Sequence, residues 1–456
     1  MRTGRGVLLV LALVVSVLSG CTGAPADSRL NGQWHGTIAV PGAPLMITLE
    51  FTGDDRGIID IPAQEIRRQE LTDVVAEPGA VRFTVPELDA GFTGRLNEAA
   101  DTVIGDFTRS GRTYPLSLTR QPVAAPARPQ EPEPPYPYPS EDVTYRSGDI
   151  TVAGTLTRPA GPGPYPAVVL AGGSGPQDRN EQIAGHKPFL VLADTLTRAG
   201  YAVLRTDDRG VGGTGGNLDQ TDYPALADDL AAGLAYLRDR PDIDRDRVGL
   251  LGHSEGGYLA PLVAARPENR VAFVILLAAP AVPGTEILDR QARDVFTQQG
   301  ATPEQIDTHL AFLADWTAAL RAGQLTKGAR LSETYNRTLP EELRVSSAAI
   351  NNQNTPYMAA LVSYDPASAL GALRMPVLAC YGSKDVQVPA DQNVAPMGEL
   401  LAADPDATVR VLAGLNHLMQ PADTGRPAEY RSIETTLAPE LLDTVTGWLD
   451  QRFGAR

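Results

Sequence analysis

The stretch VGLLGHSEGGYLAPL, residues Val248–Leu262, decides how the chain is read. It opens with an apolar run from Val248 to Leu251, turns at a corner bracketed by Gly252 and Gly256, and continues into the helix-compatible Tyr258–Ala265. A short apolar run bounded by glycine reads as a strand buried on both faces, and a strand that turns sharply into a helix belongs to parallel α/β architecture. Ser254 stands at the bend. Such a corner exposes the hydroxyl and aims the first amides of the helix at it, which is what an oxyanion requires. The chain holds 44 glycines, so Gly-x-Ser-x-Gly alone does not separate a nucleophile from a turn residue. The rest of the chain must supply a base, an acid and a second amide-bearing loop.

Working outward, strands and helices alternate on both sides. Before the serine come the opening hairpin strand DITVAGTLTRP, the buried strand YPAVVLAGG, the amphipathic helix FLVLADTLTRAG, the strand YAVLRTDDRG and the helix YPALADDLAAGLAYLRDR. After it come the strands VAFVILLAAP, MPVLACYGSKD and ATVRVLAG and the terminal helix PELLDTVTGWLDQRF. This pattern predicts a mostly parallel, doubly wound sheet. It is interrupted over about 282–370 by the long amphipathic helices EILDRQARDVFTQQG and PEQIDTHLAFLADWTAALRAG with no strand between them, a helical insertion read as a lid.

The 456 residues exceed one ordinary domain. Residues 31–120 carry alternating, turn-punctuated segments (GTIAV, LMITLEF, GIIDI, VRFTV, GFTGRL, TVIGDF and YPLSL) that predict a small antiparallel all-β domain, a sandwich or barrel with Trp34 as a core plug and His35 solvated. QPVAAPARPQEPEPPYPYPS, 121–140, is too rich in proline for helix or sheet and reads as a linker to a second domain at 141–456. At the N-terminus Arg2 and Arg5 precede an apolar run of about 12 residues, Val7–Leu18, where a spanning helix needs ~20. Leu18-Ser19-Gly20-Cys21 then resembles a lipoprotein processing site. The expectation is a signal peptide over 1–20, lipidation of Cys21, a tether over 21–30, and a protein held on an extracytoplasmic membrane face by its acyl chains. The net charge of −16 without a basic run argues against a nucleic-acid partner. Cys21 and Cys380 are the only cysteines, and no Cys/His spacing fits zinc, so no disulfide framework, metal or cofactor is expected.

In an open parallel sheet, ligands bind at the carboxyl ends of the strands. Ser254 follows VGLL, Asp385 follows PVLACYG and His417 follows TVRVLAG. A serine needs an imidazole to take its proton, and the imidazole needs a carboxylate to hold its tautomer. Among the five histidines, His186 precedes a helix, His309 lies in the insertion, and His253 should point away from the serine and pack, which leaves His417 as base. Asp385 is the acid, with Asp391 and Asp365 as rivals. The glycine loop LAGGSGPQDRNE follows PAVVL, and the amides of Ser174 and Glu255 are the expected oxyanion hole. Pro176 and the spacing exclude a nucleotide loop. Asp207, Asp208 and Arg209 read either as substrate-binding or as a salt-bridged loop.

The combination GSGPQDRN, DDRGVGGTG, GHSEGG, SYDPASAL, YGSKDVQVP and GLNHLMQ resembles bacterial α/β-hydrolase carboxylesterases of the EstD type, neighbours of serine aminopeptidase-like and dienelactone hydrolase-like enzymes, from about residue 142 to the C-terminus. The resemblance implies an α/β-hydrolase fold with Ser254, Asp385 and His417 as triad, and hydrolysis of small-molecule, short-chain carboxylic esters through an acyl-enzyme. Relatives commonly have His-Gly where this chain has Gly172-Gly173. Two other activities stay open: an aminopeptidase-like enzyme in which Glu255 and the insertion recognise a free amine, and a non-catalytic envelope protein that binds through its β domain.

Overall fold

In the computed structural model, the described residues are 28–454 apart from 39–44, 54–55, 62–65, 78–79, 89, 110–111, 123–126, 299, 340–343 and 345–346. The expected signal segment, 1–20, and Cys21 lie outside them. The chain forms two compact units, with the boundary at Val123 and Ala124.

The first unit is an antiparallel meander of nine strands: Gly32–Ile38 (β1), Leu45–Gly53 (β2), Arg56–Ile61 (β3), Ile66–Glu70 (β4), Thr72–Glu77 (β5), Ala80–Val85 (β6), Ala90–Leu96 (β7), Thr102–Arg109 (β8) and Arg112–Thr119 (β9). Their order is β4-β3-β2-β1-β9-β8-β7-β6-β5. Every neighbouring pair is consecutive in the chain except β1 and β9, which join first strand to last through Gly36 and Leu118. The two ends of that order, β4 and β5, are linked by Leu71 alone, whose amide donates to the Gly57 carbonyl at 2.8 Å. The meander therefore returns on itself as a barrel, and the alternation of side chains puts Trp34, Leu49, Ile59, Phe83, Phe92 and Phe107 inside. Trp34 is the plug: it is fully buried, donates from Nε1 to the Leu30 carbonyl at 2.7 Å and lies under the Arg120 guanidinium. His35, on the other face, is half-buried beside Thr48 rather than fully solvated, because the pairing of β1 with β2 sets the two side chains across from one another. Leu30, assigned to the tether, is buried in this core.

The second unit contains an eight-stranded sheet made of Ser140–Ser147 (β10), Ile150–Thr157 (β11), Tyr165–Ala171 (β12), Ala202–Thr206 (β13), Ile243–His253 (β14), Val274–Leu277 (β15), Val377–Gly382 (β16) and Ala407–Leu412 (β17), in the order β10-β11-β13-β12-β14-β15-β16-β17. From β13 onward all pairs are parallel. The central strands are apolar throughout because helices cover both faces: Val169, Leu250 and Leu276 pack into one cluster, Val168, Leu251 and Ile275 into the other. The helices are Pro188–Arg198 (α1), Tyr223–Arg238 (α2), Gly256–Ala264 (α3), then, between β15 and β16, Gly284–Gln298 (α4), Pro303–Arg321 (α5), Leu325–Thr338 (α6), Ser347–Asn352 (α7), Pro356–Ser363 (α8) and Ala367–Gly371 (α9), and finally Ala390–Leu400 (α10), Pro427–Tyr430 (α11) and Pro439–Phe453 (α12). The insertion has its own apolar cluster of Leu313, Trp316, Leu320 and Val362. The proline-rich stretch is not a free spacer along its whole length. Arg128 donates to the Ile433 and Arg431 carbonyls at 2.8 Å each, and Gln130 accepts from the Thr436 amide at 2.7 Å. A chain that cannot make helix or sheet satisfies its neighbours through side chains instead.

Candidate active site

The corner after β14 is built by close approach. A Cβ at Gly252 would collide with the Gly256 backbone, and one at Gly256 with the Ala171 carbonyl of β12, so both positions need glycine. Ser254 sits between them with φ +52°, a left-handed conformation that a serine adopts only under constraint from its surroundings. Its amide donates to the Leu277 carbonyl at the end of β15 at 2.9 Å, which fixes the turn to the neighbouring strand.

The loops after β16 and β17 bring the other two residues to it. His417 Nε2 lies 3.0 Å from Ser254 Oγ, and His417 Nδ1 lies 2.8 Å from Asp385 Oδ2. Asp385 is buried, and its other oxygen accepts the Gln387 and Val388 amides at 2.8 and 2.9 Å. A carboxylate only accepts, so the His417 proton belongs on Nδ1 and Nε2 is free to accept from the serine hydroxyl. The rivals are elsewhere: Asp391 pairs with Arg290 at the surface, and Asp365 accepts the Ala367 amide just before α9. Of the remaining histidines, His186 is buried between Thr436 and the Tyr430 carbonyl, and His309 contacts the Tyr335 hydroxyl within the insertion.

The glycine loop after β12 runs against the serine. A Cβ at Gly173 would stand 3.4 Å from Ser254 Cβ. Two of its amides are committed: Gly173 N–H donates to Glu181 Oε1 at 2.6 Å and Gly175 N–H to the Tyr357 hydroxyl at 2.8 Å. Among the described residues the amides of Ser174, between them, and of Glu255 donate to no protein acceptor. At Gly172 a Cβ would stand 3.5 Å from Gln177, an ordinary contact, so this place in the loop does not demand glycine.

Two carboxylates flank the serine, and spacing alone did not give the role of either. Glu255 is buried and accepts from the Tyr223 hydroxyl at 2.7 Å and from the Tyr357 hydroxyl of α8. Burial pushes its carboxyl up from the usual range to about 7, against the two phenol hydrogen bonds. Its carboxylate is thus closed off by phenols rather than presented to a substrate amine. Beyond it a cavity of about 70 Å³ is lined by Glu255, Tyr357 and Asp208, and burial also raises Asp208 to about 8. The neighbouring Asp207 and Arg209 are salt-bridged to Arg179 and Asp229, so this loop is tied down by ion pairs. On the other flank His253 turns away from the serine, as its position predicts, but into a polar contact instead of apolar packing: Nδ1 lies 2.8 Å from Glu181 Oε1 and Nε2 2.9 Å from the His417 carbonyl. Burial works against its charge, yet the Glu181 carboxylate outweighs it and raises the imidazole to about 8. Among the described residues no group of three or more histidine, cysteine or acidic side chains stands together as a metal site.

A serine at a strained glycine corner after β14, an aspartate after β16 and a histidine after β17 of a parallel sheet in this strand order mark the alpha/beta hydrolase fold, and residues 166–423 match the profile of that family, to which the chain belongs. Among individual proteins, Esterase EstD of Thermotoga maritima is 28% identical over 310 residues, covering 67% of this chain and 68% of that protein. Human dipeptidyl peptidase 8 is 36% identical over 141 residues, which is 29% of this chain and 15% of that one. A solved esterase of Pyrococcus furiosus superposes with a TM-score of 0.45 at 17% identity, over 70% of this chain and 92% of its own.

Proposed function

We propose that the protein is a serine carboxylesterase acting on short-chain carboxylic esters. The observation that carries this reading is the unbroken relay from Ser254 Oγ through His417 to Asp385, with contacts of 3.0 and 2.8 Å. Ser254 attacks the ester carbonyl as His417 Nε2 takes its proton, and the imidazolium is held by Asp385. The oxyanion is received by the Ser174 and Glu255 amides. The alkoxide leaves with the proton from His417, giving an acyl-serine, and water repeats the sequence to release the acid. The choice of ester over peptide is supported by the likeness to Esterase EstD and by the phenols that cap Glu255. Helices α4–α9 act as the lid that sets acyl and alcohol preference, with Tyr357 as its contact to the oxyanion loop. The mature chain is held on an extracytoplasmic membrane face through acylated Cys21.

A fluorophosphonate probe and paired turnover of p-nitrophenyl acetate and an aminoacyl-anilide test this. The wild type is labelled and hydrolyses the ester, and Ser254→Ala loses labelling together with a factor of about 10⁴ or more in rate. Labelling that survives Ser254→Ala, or anilide turnover without ester turnover, overturns the reading.

A further inference from the structure

We propose that Glu181 and His253 form a buried charged pair that positions both halves of the catalytic apparatus, the oxyanion loop through the Gly173 amide and the base through the His417 carbonyl. The proposal rests on the reading of Ser254 as nucleophile.

The pair is assembled by three segments distant in sequence. Glu181 follows the glycine loop and holds a left-handed backbone at φ +51°, His253 ends β14, and the His417 carbonyl belongs to the loop after β17. Both side chains are buried, with side-chain exposures of 4% and 8%. Glu181 Oε1 accepts twice, from the Gly173 amide at 2.6 Å and from His253 Nδ1 at 2.8 Å. His253 Nε2, 2.9 Å from a backbone carbonyl, can only donate. With Glu181 ionised, Nδ1 must donate as well, and His253 is an imidazolium, the form that the neighbouring carboxylate favours. Glu181 Oε2 is buried without a hydrogen-bond partner, so the carboxylate charge is balanced by that imidazolium. The surroundings offer no substitute: Phe189, Leu277, Leu418 and Met419 enclose the pair. The other titratable groups facing His253 are Asp385, which reinforces its charge, and His417, whose ring centroid lies 5.0 Å away.

The geometry turns this charge into alignment. Gly173 directly precedes Ser174, so anchoring the Gly173 amide to Glu181 sets the peptide that carries the Ser174 amide. Anchoring the His417 carbonyl sets the backbone from which the base reaches Ser254. One ion pair therefore couples the donor of the oxyanion hole to the base. These are positioning residues, since neither touches the reacting atoms.

The test compares Glu181→Gln and Glu181→Ala with wild type and Ser254→Ala in full-length protein, reading kcat and KM for p-nitrophenyl acetate from pH 6 to 10. Glu181→Gln keeps an acceptor for Gly173 but removes the charge. Its alkaline limb should move about one pH unit or more to lower pH as the His253 imidazolium loses its counter-charge. Glu181→Ala releases the loop, and kcat should fall about 10²-fold with KM changed far less, the loss that follows removal of one oxyanion donor. A Glu181→Gln profile that superposes on wild type, or KM rising with kcat intact in Glu181→Ala, overturns the proposal. If Glu181→Ala does not fold, the profile of Glu181→Gln alone decides. Failure of the underlying reading is separate, because it shows as turnover that persists in Ser254→Ala.

Discussion

The residues immediately before and after Ser254, His253 and Glu255, are both buried and both ionisable, and the fold treats them in opposite ways. On the His253 side a carboxylate is met by a full opposite charge, Glu181 against an imidazolium. On the Glu255 side the carboxyl is met by two neutral phenols, Tyr223 and Tyr357. The first arrangement retains its charge at neutral pH, and the second lets burial raise the carboxyl to about 7. The charged flank lies within the strand-end framework that holds His417. The neutral flank faces the insertion, whose Tyr357 reaches both Glu255 and the Gly175 amide. An ion pair therefore joins the glycine loop to the His417 backbone, while phenol hydrogen bonds join Glu255 and the same loop to the insertion.

The largest expected effect comes from breaking the charged flank. His253→Leu leaves the Glu181 carboxylate buried without its counter-charge and should cost about 3–5 kcal/mol in urea denaturation at pH 6. The double variant with Glu181→Gln, which removes both charges, should recover part of that loss. The sign with pH is fixed by the raised imidazole. The unfolded side chain titrates near 6.5 and the folded one near 8, so the contribution is fully present below 6.5 and is lost as pH rises through 8. The gap between wild type and His253→Leu should narrow across that window. A loss below about 1 kcal/mol at pH 6 would place this contact among weakly coupled ones and remove the contrast between the flanks.

Much of the site was legible because chain order and strand ends determine it. In a parallel sheet each strand delivers its next residue to the same edge, so Ser254, Asp385 and His417 could be assigned from the apolar runs before them. The pairs on the flanks were not legible, since Glu181 and His253 stand 72 residues apart and Tyr357 and Glu255 102 apart, with no periodicity linking them. Glu181 gave one weak signal, an acidic residue closing the glycine loop. In the barrel the strands with alternating apolar residues could be read, whereas β4, IRRQE, has four polar residues in succession and showed no period. The insertion contains more helices than its two amphipathic stretches announce. Helix α6 fully buries only Gly328 and Ser332, so its apolar stripe in LTKGARLSETYNRT is thin and interrupted by small residues.

The neutral flank should respond to charge in the acid range. Glu255 titrates at about 7 when folded against an ordinary 4.5, so its protonated form favours the folded state: the contribution is full below 4.5 and lost as pH rises through 7. Glu255→Gln should flatten the fall in stability over that window, worth about 3 kcal/mol from the size of the shift. Stability measured at pH 4.5 and 7.5 checks it, and an unchanged slope in Glu255→Gln would mean that the phenols already hold the carboxylate as firmly as His253 holds Glu181.

The smallest effect is the sharpest for the comparison, because it separates two phenols on one carboxyl. Tyr223→Phe and Tyr357→Phe each remove one hydroxyl from Glu255, and each should cost about 1–3 kcal/mol of stability. Tyr223 has no further duty in the site, so Tyr223→Phe should keep its kcat. The Tyr357 hydroxyl also accepts the Gly175 amide at 2.8 Å, one residue beyond the Ser174 amide. Its removal frees the loop from the insertion side while Glu181 still holds it from the other. Tyr357→Phe should therefore lower kcat severalfold at saturating p-nitrophenyl acetate. Equal kcat in the two variants would mean that Glu181 alone aligns the loop, and the insertion would then act on substrate choice without touching the oxyanion hole.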